Sequence, residues 1–233
     1  MKHGFVKVAA VTPKIKVADP AYNAGQIKEK MYEAYDKGAK VIVFPELCLT
    51  GYTCNDLFLQ EILLEETLRQ LVFLTACTEG HDSLVFVGLP FEKAGKLYNV
   101  AAALQDGRIL GLIPKMYIPA YAEFYEGRHF MPGDETVSFV QIDGKDVPFG
   151  SSILFEADAV KGLTVACEIC EDLWVPNPPA TYHALAGATL IVNLSARGES
   201  PRPHRYKWDP SNPTPVSQTP NSKRNVPPSS TTN

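Results

Sequence analysis

The sequence predicts an α/β fold in which a mixed sheet is covered by helices. Three observations carry this. Short apolar runs alternate with helical patterns up to Leu89, paired runs around Asp-Gly turns come next, and a strand–helix–strand pattern returns before Ser195.

The elements follow in order. Residues 5–11 form an apolar run suited to a buried strand. Asp19-Pro20 starts a helix, because Asp caps free N–H groups and Pro fits the first turn. Ile27, Met31 and Ala34 recur at helical spacing, and Gly38 ends the helix. Residues 41–44 are wholly apolar and read as a strand buried on both faces. A helix is expected over residues 57–77, with Ile62, Leu63, Leu68, Leu71 and Val72 on its apolar side, then a strand over 84–89. Residues 98–104 and 108–113 flank Asp106-Gly107, a strong hairpin signal. An aromatic-rich loop, 117–130, follows. Residues 137–142 and 152–155 read as strands around Asp143-Gly144, and 163–167 as another. A short helix over 182–188 and a last strand over 190–194 complete the pattern. No internal repeat is visible.

The 233 residues carry 22 Lys+Arg against 26 Asp+Glu, a net charge of −4, with 45% hydrophobic residues. That length can bury the core of one large domain. The acidic balance argues against a nucleic-acid partner. No apolar run reaches the roughly 20 residues of a membrane span, and the first residues lack the pattern of a secretory signal. A cytoplasmic protein is expected. Cys48, Cys54, Cys77, Cys167 and Cys170 are odd in number, so no disulfide framework is expected.

Composition changes at Arg197. Residues 1–196 hold 16 basic and 24 acidic residues, net −8; residues 197–233 hold six and two, net +4, with eight of the 19 prolines. The second segment has only Val216 and Val226 as aliphatic residues. It cannot bury enough apolar surface to offset the entropy of ordering it, and is expected to be a disordered tail rich in Pro, Ser, Thr and Asn.

Three reactive side chains follow apolar strands. Glu46 succeeds Val43-Phe44-Pro45; it is either a solvated or capping carboxylate or, if buried, a general base with a raised pKa. Lys115 succeeds Ile113-Pro114; it is either a surface lysine or, if buried, a fixed positive charge for an oxyanion. Cys167 and Cys170 form a C-x-x-C. Zinc would need two more ligands at similar spacing, and a redox pair normally opens a helix near the first strands; inert buried thiols and a nucleophilic Cys with a carboxylate base are the other readings.

Pro45-Glu46-Leu47, Pro114-Lys115 and Ile169-Cys170-Glu171-Asp172 together resemble the Glu-Lys-Cys signature of the nitrilase, or carbon–nitrogen hydrolase, superfamily. Phe44 to Tyr52 with Asp56-Leu57-Phe58, Pro119 to Glu126, and Cys170 to Pro176 further resemble its glutaminase branch, the glutaminase half of glutamine-dependent NAD synthetases. The resemblance covers about residues 4–196. It implies a four-layer αββα sandwich. It implies Cys170 as nucleophile, Glu46 as base, and Lys115 with a backbone N–H near residue 171 as oxyanion donors. Glu123, eight residues after Lys115, matches the second glutamate, which orients the site. Tyr121, Glu171 and Trp174 fall where that branch lines its substrate pocket. The implied reaction is hydrolysis of the glutamine side-chain amide, releasing ammonia for NAD biosynthesis. A stand-alone hydrolase of another small amide and a non-catalytic fragment are the alternatives. The hydrolase chemistry implies no cofactor; ATP belongs to the synthetase domain, whose Ser-Gly-Gly-x-Asp-Ser loop is absent from this sequence. The superfamily implies a homo-oligomer.

Asn193-Leu194-Ser195-Ala196 matches the branch's Asn-Leu-Ser-Ala-Ser, and Arg197 then stands in place of the last serine. Residues 197–233 are read either as an out-of-frame end or as a native tail. The domain 1–196 is expected to be C-terminally incomplete, with an aggregation-prone edge at 190–194.

Overall fold

A computed structural model describes residues 5–121 and 124–196. The expectations for residues 197–233 lie outside the described residues.

Seven strands make the larger sheet: β1 (Val8–Ala10), β2 (Val41–Val43), β3 (Leu84–Lys93), β4 (Lys96–Gln105), β5 (Arg108–Pro114), β6 (Ser138–Ile142) and β7 (Lys145–Phe149). Their order is β1-β2-β3-β4-β5-β7-β6. β1, β2 and β3 run parallel, and β3, β4 and β5 antiparallel. A three-stranded sheet orders β10 (Leu190–Leu194), β9 (Thr164–Ile169) and β8 (Leu154–Glu156). The helices are α1 (Pro20–Asp36), α2 (Glu61–Ala76) and α3 (Pro179–Leu185).

Alternation along β3 explains the layering, because successive side chains point to opposite faces. Val85, Val87 and Leu89 pack with Ala24, Ile27 and Met31 of α1 and Leu71 and Leu74 of α2. Phe86, with Ala101 and Ala103 of β4, packs on Val165, Cys167 and Ile169 of β9 and Val192 and Leu194 of β10. Each fully buried Leu, Phe or Val contributes roughly 1.5–3 kcal/mol to this double core. α3 lies against β9. The order helix, sheet, sheet, helix is the expected αββα sandwich.

Asp19 caps α1 by accepting the Tyr22 N–H at 3.0 Å, and Gly38 leaves the helix at φ +75°. The turns Asp106-Gly107 and Asp143-Gly144 both have positive φ at both positions, as tight hairpins require. Other expectations are corrected. β1 is short and exposed, with Val8 52% accessible, because among the described residues it pairs with β2 alone, at the sheet edge. The helix expected at 57–77 is a 3-10 turn, Asn55–Leu59, followed by α2. Within α2, Leu63, Leu71 and Leu74 face inward while Ile62 is 73% exposed. The strand paired around Asp143-Gly144 is β7, not 152–155. Pro148 hides β7 in the sequence, yet it is tolerated because, among the described residues, β7 has a full ladder with β6 and a single register pair with β5, Leu112–Phe149.

One close approach positions the loop after β2. A Cβ on Gly88 of β3 would lie 2.4 Å from the Leu47 nitrogen and 2.5 Å from the Pro45 oxygen. Gly88→Ala is therefore expected to displace Glu46, cost about 1–3 kcal/mol by overpacking, and lower the melting midpoint by several degrees. A calorimetric scan beside an amidase assay checks it; unchanged stability and turnover would contradict the close packing.

Candidate active site

Glu46 leaves β2 through Phe44-Pro45, and the next residue, Leu47, takes φ +51° in a tight turn. Lys115 follows β5 and continues its ladder, its N–H donating to the Asn99 carbonyl at 2.8 Å. The two side chains meet with no exposure. The Lys115 ammonium donates to Glu46 Oε1 at 2.7 Å.

A second carboxylate completes the cluster. Lys115 Nζ also donates to Glu126 Oε1 and Oε2 at 2.7 and 2.8 Å. Asn99 Nδ2 donates to Glu46 Oε1 at 2.7 Å, and the Tyr52 hydroxyl to Glu126 Oε1 at 2.7 Å. Glu123, expected in this place, lies outside the described residues; the carboxylate found on Lys115 is Glu126. Glu126 opens the 3-10 turn Glu126–Arg128, which Arg128 pins by donating to both Asp56 oxygens at 2.7 and 3.1 Å.

Two carboxylates share one ammonium here, so the ionised cluster carries a net negative charge out of water. Burial, with the Glu126 charge, raises the Glu46 pKa against the pull of Lys115. Burial opposes the Lys115 ammonium, but the two carboxylates outweigh it and hold its pKa above the ordinary lysine value. A raised pKa makes Glu46 a better proton acceptor while Lys115 stays charged.

Cys170 follows β9 and starts the 3-10 turn Cys170–Leu173 in a left-handed conformation, φ +46°. That conformation costs a non-glycine residue roughly 1–3 kcal/mol. Burial pushes its thiol up to about 11, the Glu46 charge adds to this, and Lys115 and Ser195 pull it down. The thiol thus lies within electrostatic reach of both members of the ion pair. Cys167 is different: it is buried among the inter-sheet residues, and burial drives its pKa well above the ordinary value. All five cysteines are free thiols.

The end of β10 ties the parts together. Asn193 Nδ2 donates to the Cys170 carbonyl at 3.4 Å and to Glu168 Oε1 at 3.3 Å. The Ala196 N–H donates to Glu46 Oε2 at 3.1 Å. Tyr121 and Glu171 come together, the tyrosine hydroxyl donating to Glu171 at 2.8 and 3.0 Å. Trp174, at the end of the same turn, is 57% exposed. Tyr52, Glu126 and Asp172 lie within the motifs quoted from the sequence but carry no expected role there, and Asn99 lies outside those motifs. A separate cavity of about 190 Å³ is lined by residues including Tyr117, Ser151, Asn177, Tyr182 and His183, and by none of Glu46, Lys115 and Cys170.

The profile of the carbon-nitrogen hydrolase family matches residues 7–212. The chain belongs to the carbon-nitrogen hydrolase family. It is 43% identical over 196 residues to the glutamine-dependent NAD(+) synthetase of Mycobacterium tuberculosis, covering 83% of this chain and 29% of that protein. The Thermotoga maritima glutamine-dependent NAD(+) synthetase is 33% identical over 197 residues, covering 84% of this chain and 30% of that protein. The chain therefore spans under a third of the length of these curated relatives. Among solved structures, a glutamine-dependent NAD(+) synthetase from Cytophaga hutchinsonii superimposes with TM-score 0.72 at 27% identity, over 82% of this chain and 30% of that one. An amidase from Nesterenkonia sp. shares the fold, with TM-score 0.64 at 17% identity, over 86% of this chain and 68% of that one. This nitrilase-superfamily hydrolase fold is thus shared with both kinds of protein. No helix among the described residues is long and apolar enough to cross a membrane.

Proposed function

We propose that this carbon-nitrogen hydrolase chain cleaves the side-chain amide of glutamine at Cys170, releasing ammonia of the kind a glutamine-dependent NAD synthetase consumes. The observation that supports it most is the Glu46–Lys115 pair, 2.7 Å apart with no side-chain exposure and electrostatically coupled to the Cys170 thiol.

The chemistry follows from the charges. Burial pushes the Cys170 thiol up to about 11, so the protonated thiol predominates at neutral pH. A preformed thiolate is not the resting nucleophile, so proton loss must accompany attack. Glu46 takes the Cys170 proton as sulfur bonds to the amide carbon. Lys115, with a backbone N–H near residue 171, faces the oxyanion of the tetrahedral adduct; a preorganised donor of this kind is worth roughly 3–4 kcal/mol. Glu46 then protonates the leaving nitrogen, the C–N bond breaks, and ammonia leaves a thioester on Cys170. Water, deprotonated by Glu46, attacks the thioester carbon; glutamate departs and the thiol regains its proton. Glu126 orients Lys115, the part expected of Glu123. Glu171, held by Tyr121, offers a carboxylate to the α-ammonium of glutamine, and Trp174 borders the same turn.

Ammonia release from L-glutamine, measured against a panel of small aliphatic amides, tests this reading. Faster release from a small amide than from glutamine would favour a stand-alone amidase instead. Because the Glu46 pKa is raised, its base form is lost as pH falls through a value above the ordinary carboxylate range, and kcat/KM should decline there. Glu46→Gln should lower kcat by at least 100-fold and remove that acid limb. An acid limb unchanged in the variant would assign the base elsewhere.

A further inference from the structure

Asp172 follows Cys170 by two residues and touches none of Glu46, Lys115 or Glu126 through a hydrogen bond, yet it is 1% exposed. One of its oxygens, Oδ2, accepts the Ile169 N–H at 3.0 Å. Ile169 is the last residue of β9 and immediately precedes Cys170. The other oxygen, Oδ1, accepts the N–H groups of Met116 at 3.0 Å and Tyr117 at 2.8 Å. These are the two residues immediately after Lys115.

A side chain that merely capped its own turn would serve only the Ile169 N–H. Asp172 instead reaches 55 and 56 residues back along the chain. It joins the strand exit that carries Lys115 to the strand exit that carries Cys170. Three backbone N–H groups from the two strand exits converge on this one buried side chain, which makes it a joint between them. It also bears on the strained backbone of Cys170. Cys170 sits at φ +46°, and such a conformation persists only where the surroundings over-determine it. Asp172 and Ile169 flank Cys170 and are tied to each other, closing that turn around the nucleophile.

We propose that Asp172 is a positioning residue that holds the Cys170 sulfur in register with the Lys115 ammonium. The proposal rests on the reading of Cys170 and Lys115 as the reacting pair. Burial raises the Asp172 pKa to about 7, with the three backbone N–H groups and Lys115 pulling it down.

Asp172→Asn tests this in the full chain. The amide keeps the shape but has one acceptor oxygen. If that oxygen serves Met116 and Tyr117, the NH2 opposes the Ile169 N–H, and the reverse placement loses the other side. With glutamine as substrate, kcat is expected to fall by 10- to 100-fold while KM stays within about threefold, and the melting midpoint should not drop by more than a few degrees. Unchanged kcat, or a lowered midpoint with kcat intact, would overturn the proposal. Hydrogen exchange needs no turnover and separates the two readings. If wild-type protein releases no ammonia, the functional reading fails, but the Ile169, Met116 and Tyr117 amides should still lose protection together in the variant while Val165 and Leu112 keep theirs. If the variant does not fold, the same three amides in wild-type protein should exchange with one shared opening free energy. Three unrelated values would overturn the joint.

Discussion

Lys115→Met is expected to abolish amide turnover and to destabilise the domain by roughly 3–5 kcal/mol, or about 6–20 °C in melting midpoint. The ammonium sits between Glu46 and Glu126, and all three side chains are buried. Removing it leaves two carboxylates out of water with Asn99, Tyr52 and the Ala196 N–H as their remaining donors among the described residues. The penalty has a sign that can be checked. Without the lysine, burial and the facing Glu126 carboxylate raise the Glu46 pKa unopposed by the ammonium in the folded state. The variant is therefore penalised above the ordinary carboxylate range and recovers as pH falls and protons replace the ammonium. Thermal melts of both proteins at pH 5 and pH 7 read this out; the deficit should be smaller at pH 5. An equal deficit at both would mean that Lys115 is not the charge partner of this cluster.

Cys170→Gly is expected to lower ammonia release to background, a fall of at least 1000-fold, while raising the melting midpoint. The left-handed φ of Cys170 is strained for any residue with a Cβ, and glycine relieves it; a gain of up to about 1 kcal/mol is expected. Opposite effects on stability and activity are what a nucleophile held in a strained turn predicts. Cys167→Ala provides the contrast. It removes a thiol from the inter-sheet core, so it should lower the midpoint and leave turnover within a few-fold. Abolished turnover in Cys167→Ala with retained turnover in Cys170→Gly would reverse the assignment of the two thiols.

The parts of this molecule that were legible from sequence are those where local pattern and tertiary environment agree. The apolar runs before Pro45 and Pro114 mark strands whose ends carry Glu46 and Lys115, and burial of both strands on two faces is what brings the charges inside. The Asp106-Gly107 turn marks its hairpin because few residues accept two successive positive φ values, whereas Asp143-Gly144 marks a turn but not the strand that follows it. Failures came where the pattern is silent or misleading. Glu126 lies in an aromatic-rich stretch with no period to mark it, and it meets Lys115 where Arg128 anchors its turn to Asp56; Glu123 lies outside the described residues. Pro148 disguised β7, since its tolerance depends on a partner missing along most of one side. Ile62 fits the apolar side of a helix begun at residue 57, but α2 begins at Glu61 and leaves Ile62 facing outward. Asn193, Ser195 and Ala196 were visible as a motif, but their hydrogen bonds to Cys170 and Glu46 exist only once β10 lies beside β9.

A thioester trapped on Cys170 tests the central claim most directly. Wild-type protein mixed with L-glutamine, quenched in acid during turnover and digested, should give a Cys170 peptide heavier by glutamine minus ammonia, and Glu46→Gln should accumulate far less of it. A peptide of unmodified mass during confirmed ammonia release, or the adduct on another residue, would contradict the assignment of Cys170 as the nucleophile.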